Sequence, residues 1–194
     1  MEPIAPAEQR DGRKQRSADS SRRIVAALVG LIGEGVLAPS AEQVAERAAV
    51  GLRSVFRHFK DMDSLYREMH AILVAEMQVV AQQPFKATTR DGKILELVDR
   101  RAVAFERLAP FLRAAQRPRH QSRFLQAEHR QFVLRLRQPV TDLLGAGAEA
   151  IDLLLSFEAW QRLRTDQGLD DAAARQVLKQ AIAALLSPAS RALA

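Results

Sequence analysis

Arg53, Ser54 and Arg57 fall together on the outer side of a short helix predicted over 52–58. Guanidinium forks suit guanine edges and phosphate oxygens, and a hydroxyl suits either. Leu52 stands at the leading end of that helix and Lys60 just beyond its far end. Backbone amides where the helix starts, at Gly51, favour a phosphate as well. Other chemistries find little material. The chain has no cysteine, which removes thiolate catalysis, disulfides and cysteine-ligated metals together. His120 and His129 are nine apart and do not share a helical face, and Gly145-Ala-Gly147 lacks the rest of a nucleotide-binding loop. We expect no metal, no cofactor and no catalytic residue.

The elements that must position this face are legible in capping and periodicity. A helix capped by Ser20 or Ser21 carries Ile24, Leu28 and Leu31, widened by Val25, Val29 and Ile32, and stops at Gly33–Gly35. Ser40 then caps a second helix, and Gln43 stands at the capping-box spacing. Val44, Ala45 and Ala48 form its inner side, with Ala45 small enough for a close crossing. A turn at Ala49-Val50-Gly51 leads into the 52–58 helix, which Val50 and Val55 hold from the inside. The result is a helix-turn-helix at about 40–59. Phe56 and Phe59 have core residue types, and His58 suits packing as well as a DNA contact. Asp61 caps a long helix with Leu65, Met69, Ile72, Leu73, Met77 and Val80, ending at Pro84.

The run Val44-Ala-Glu-Arg-Ala-Ala-Val50, then Val55-Phe-Arg-His-Phe59, then Asp61-Met-Asp-Ser-Leu65, resembles the TetR family of transcriptional regulators. Phe56, His58, Phe59 and Leu65 fall on positions of that pattern, and the match covers about 20–67. The resemblance implies a regulator, expected to be a repressor, that binds a palindromic double-stranded DNA operator and is released by a small-molecule effector. It implies DNA contacts from Ser40, Gln43, Gly51, Leu52, Arg53, Ser54, Phe56, Arg57, His58 and Lys60. It further implies a C-terminal domain that encloses the effector and dimerises through its last two long helices. The chain departs from the pattern at Ala49, where the family has Gly, and at Gly51, where it has Ser or Thr. Leu52-Arg53 replaces a common Lys-Gly, and Phe56 replaces an aromatic hydroxyl, so base preferences do not transfer.

The remaining sequence fits an all-α chain of about nine helices. Apolar residues are 47% and charged residues 27%, aromatics are few, and no Val/Ile/Thr-rich alternation marks a strand. The expected organisation is a disordered basic arm over 1–19, a DNA-binding domain over 20–66 and an effector-binding, dimerising domain over 67–194. Helices are expected at 92–107, 110–115, 122–144, 148–164 and 171–186, broken by Pro110, Pro118, Gly145–Gly147 and Gly168, with Pro139 kinking or splitting the third. Both 148–164 and 171–186 carry apolar residues on more than one side, which a homodimer would bury. The net charge of +6 is not concentrated in the DNA-binding segment. Ten arginines between 100 and 137 face only Glu106 and Glu128, which fits a solvated face or an anion-attracting pocket. Met69, Met77, Phe105, Phe111, Phe124 and Trp160 are the candidate apolar lining of an effector pocket. No apolar stretch approaches a membrane span, and 1–19 lacks the apolar core of a secretory signal, so a cytoplasmic protein is expected.

Overall fold

A chain rich in Leu, Ala and Arg, all good helix formers, takes only helical regular structure among the described residues. The structure, a computed structural model, describes the backbone of residues 6–120, 122–145 and 147–187, and their side chains except at 6–14, 76–81, 117 and 118. The helices are α1 (Pro6–Gly33), α2 (Ala41–Arg47), α3 (Leu52–His58), α4 (Met62–Ala81), α5 (Arg90–Arg119), α6 (Arg123–Leu144), α7 (Glu149–Leu154), α8 (Phe157–Gln161) and α9 (Asp171–Leu186). A π-helical turn, Arg162–Asp166, follows α8 directly. No helix of the described residues is long and apolar enough to cross a membrane. The chain divides into two compact units: one runs up to Val74 and takes in Pro110–Phe124, and the other comprises Ala75–Ala109 and the chain from Leu125 onward.

In the first unit α1 packs on α2 and α3, and α2 on α3. Ile24, Val25, Leu28 and Ile32 of α1 meet Val44, Ala45 and Ala48 of α2 and Val55 of α3 in one core, joined by Leu65 and Met69 of α4. Ile72, placed by periodicity on the apolar side of α4, is 45% exposed instead. α1 ends where the glycines allow it to turn: Gly35 adopts φ +94°, and the Val36 amide donates to the Leu31 carbonyl at 3.0 Å. The other end differs from expectation. Helix begins at Pro6, so the segment from 6 to 19 is helical rather than an arm, and residues 1–5 lie outside the described residues. The Ala, Glu, Gln, Arg and Lys of this stretch hold helix cheaply. No apolar stripe marks this stretch, so periodicity is blind to it.

Three breaks expected from residue type are also absent or displaced. α5 runs through Pro110 and Pro118, and α6 through Pro139. An interior proline costs about 3 kcal/mol, which burial of Leu108 and Ala114 around Pro110, and of Val140 after Pro139, can offset. The break falls instead inside 148–164, expected as one helix. Ser156 is extended, at φ −79° and ψ 162°, and its hydroxyl accepts from the Ala159 amide at 3.2 Å, capping α8. Ile151, Leu155, Phe157, Trp160 and Leu163 are all buried in the second unit's own core, so the apolar breadth of this segment does not by itself require a partner.

Ala49 carries the one positive φ among the described non-glycine residues, 51°. The left-handed conformation strains an L-residue by roughly 1–2 kcal/mol, partly returned in glycine by its extra unfolded-state entropy. Ala49→Gly is therefore expected to stabilise the protein by about 0.5–1 kcal/mol, read as a rise in the urea midpoint. An unchanged or lower midpoint would show that the turn is relaxed.

The second unit is tied by ion pairs whose carboxylates titrate low. The Arg164 guanidinium, 2.8 Å away, holds Glu106 below its ordinary value of 4.5, with help from the Trp160 indole N–H at 3.0 Å. Arg175 does the same for Asp171. Folded values below unfolded values mean that this stabilisation is complete above the unfolded pKa and is lost as pH falls through the folded one. Stability should be flat from pH 7 down to about 5 and decline below. Glu106→Gln should shallow that decline, and an identical urea midpoint profile in the variant would exclude Glu106 as a contributor.

Candidate nucleic-acid interface

The helix-turn-helix is built from local chemistry first. Ser40 and Gln43 form the expected reciprocal cap: the Gln43 amide donates to the Ser40 hydroxyl at 3.3 Å, and the Ser40 amide to Gln43 Oε1 at 2.9 Å. Both side chains are thus engaged in starting α2. The turn is closed by the Val50 amide on the Ala45 carbonyl at 3.0 Å, and Gly51 enters α3 with no side-chain cap. Ala45 is 4% exposed, the small residue at the α2–α3 crossing. Arg47 at the end of α2 reaches back to Glu34, which holds the Glu34 carboxyl below and the guanidinium above their ordinary values. Sequence patterning gives no sign of this cross-link, because the two residues are 13 apart and neither is apolar.

α3 separates its two sides cleanly. Val55 is 1% exposed, and Phe59 just beyond the helix is buried with it. Arg53, Phe56 and Arg57 are all exposed, at the i, i+3, i+4 spacing of a single helical face, with Leu52 exposed at its leading end and Lys60 exposed beyond the extended Phe59. Phe56 corrects the expectation drawn from its type: it is 49% exposed and belongs to the outer face, not to the core. Ser54 is half-buried, and Arg57 Nη2 approaches its hydroxyl at 3.5 Å. His58 is turned inward; its Nε2 is buried without a hydrogen-bond partner among the described residues, and its ring lies beside Phe59. The outer face therefore presents two cations and an aromatic ring, with a third cation, Lys60, just past its end and no acidic residue on α3. Asp61, next in sequence after Lys60, is occupied in capping α4, accepting from the Ser64 amide at 2.8 Å.

The residues expected to line an effector pocket fall in both units. Met69 and Phe111 belong to the first unit's core. Phe124, also of the first unit, lies under the Arg67 guanidinium at 5.0 Å and edge-on to His70. Phe105 and Trp160 of the second unit do line one cavity together, with Val98, Ala102, Leu154, Leu155, Ser156, Leu178 and Arg101. Met77 lies outside the described side chains. Sequence reasoning missed Arg101, which is 6% exposed. Within a run of ten arginines nothing marks the one that folds inward. Among the described residues no cluster of His, Asp and Glu could hold a metal ion. No protein-family model matches the chain, and no curated protein or solved structure matches it significantly.

Proposed function

We propose that the protein is a sequence-specific DNA-binding regulator that reads the major groove with α3, acting as a dimer and released by a small molecule. The observation that carries this reading is the outer face of α3, where Arg53 and Arg57 stand exposed beside Phe56 on a helix anchored by Val55, with Lys60 exposed just beyond its end. A short helix fixed from behind and cationic in front has the donors for guanine edges and phosphates. Phe56 supplies an apolar contact of the kind made with thymine methyl groups. Dimerisation draws on the apolar side of α9 that the chain leaves uncovered, where Val177 is 41% and Leu185 40% exposed. A dimer implies a palindromic operator, and a DNA-binding role implies a place in the cytoplasm, beside the DNA. The TetR resemblance of 20–67 agrees with each element of this proposal, and a repressor is the form it takes.

Gel-shift titration of random and genomic DNA fragments at two salt concentrations tests the reading. A specific complex should survive competitor DNA and weaken steeply as salt rises, because bound phosphates release counterions. Equal affinity for all fragments, or no complex at low salt, would remove it.

A further inference from the structure

Arg101 is the unusual group of the second unit. Arg100, Arg137, Arg164 and Arg175 each hold a carboxylate: Glu96, Glu149, Glu106 and Asp171. Arg101 is far more buried than any of these, yet it holds two main-chain carbonyls instead. Its Nη1 donates to Leu155 O at 2.6 Å and its Nη2 to Leu136 O. Two of its five N–H donors are so engaged, and neither partner carries charge. Asp152 acts on it only through space, and burial lowers the guanidinium to about 10. A buried cation whose counter-charge is not in hydrogen-bond contact is costly unless something compensates it.

Arg101 lines a cavity of about 10 Å³, room for a single water molecule. Every other wall residue is apolar except Ser156, whose hydroxyl is engaged with the Leu153 carbonyl and the Ala159 amide. The aromatic wall is Phe105 and Trp160, and the Trp160 indole is held from outside by Glu106, itself neutralised by Arg164. One wall, Leu155–Ser156, is the joint between α7 and α8, where the helix is interrupted. A ligand larger than water needs that joint to move, which leaves the helix interiors intact but releases the Leu155 carbonyl from Arg101.

We propose that this cavity is the polar end of a binding site for an apolar monocarboxylic acid, whose carboxylate sits on Arg101 and whose body lies against Phe105, Trp160 and Leu178. A single planar fork matches one carboxylate, the charge of which it balances. A phosphate dianion would leave excess negative charge buried in an apolar wall. The use of this acid as the effector that releases DNA rests on the function proposed above, whereas the binding itself does not.

Trp160 is the sole tryptophan, so its fluorescence reports this wall directly. The full-length protein is titrated without DNA at pH 7.5 with octanoate, 1-octanol and octylammonium, following Trp160 emission and calorimetric heat. Octanoate should bind saturably, one per chain, and about 10-fold or more tighter than octanol, with octylammonium weakest. Octanol binding as tightly as octanoate, octylammonium binding best, or no saturable octanoate signal would each overturn the proposal. Arg101→Lys keeps the charge and loses the fork, so it should weaken octanoate by about 10-fold while keeping acid ahead of alcohol. Unchanged octanoate affinity in Arg101→Lys would place the acid elsewhere, and the wild-type comparison stands alone should that variant fail to fold. A DNA gel shift on the same preparation is read separately. Acid binding without any DNA complex would count against the regulator reading alone, and a DNA complex without acid binding against the acid site alone.

Discussion

Replacing Arg53 and Arg57 together by alanine is expected to weaken specific DNA binding by about 30- to 10⁴-fold, corresponding to roughly 1–3 kcal/mol for each contact. Both side chains are exposed and neither supports the core, so thermal stability should change by no more than about 0.5 kcal/mol. The two single variants separate their roles. A base contact, once lost, relaxes preference at one operator position. A phosphate contact weakens all sequences alike and flattens the salt dependence by about one counterion. Arg57 leans toward Ser54 in the free protein and must turn from it to reach DNA, a small rearrangement since that contact is at the limit of a hydrogen bond. A double variant that binds within about threefold of the wild type would place the reading surface elsewhere.

The second large effect is expected at α9. Its buried side is Ala174, Leu178, Ile182 and Leu186, and the adjoining side offers Val177, Ala184 and Leu185 to solvent, with Ala181 half-buried among them. Small residues at such a stripe let two copies of the helix approach closely. In a two-fold dimer each substitution occurs twice, so Ala181→Arg introduces two cations into the contact. The dimer dissociation constant should rise by about 100-fold or more, the equivalent of 1.4 kcal/mol per copy. Helicity should be unchanged, because the arginine can reach solvent in the monomer. Sedimentation across micromolar concentrations measures both. If Ala181→Arg dimerises as the wild type does, or if the wild type is a monomer throughout, α9 is not the interface.

Much of the helix-turn-helix was legible in sequence because its determinants are local. The Ser40–Gln43 cap, the left-handed Ala49 and the Val55 anchor each depend on neighbours within four residues, which spacing reports. Tertiary decisions were not legible. Phe56 looks like core until the anchoring positions of α3 are seen to be filled by Val55 and Phe59. Ser156 sits within an apolar run, and a helix restarting there has the same composition as one continuing. Pro110 misleads in the same way, since the loss of one hydrogen bond is fixed while the packing that outweighs it depends on contacts far along the chain. Arg101 is the extreme case: its type argues for solvent, and only the carbonyls of Leu155 and Leu136 explain its place.

The π-helical turn after α8 bears on how the chain tolerates changes in length. Here the Gln167 amide donates to the Arg162 carbonyl at 2.9 Å, five residues back, so the turn accommodates one residue more than an α-helix would. Elsewhere in a helix, removing a residue rotates everything downstream by about 100° and exchanges inner for outer positions. At this point removal restores ordinary spacing instead, and Thr165 and Asp166 are both exposed. The turn is thus the place in the second unit where a one-residue deletion could be absorbed locally, so insertions and deletions among descendants of this sequence should collect there rather than inside α9.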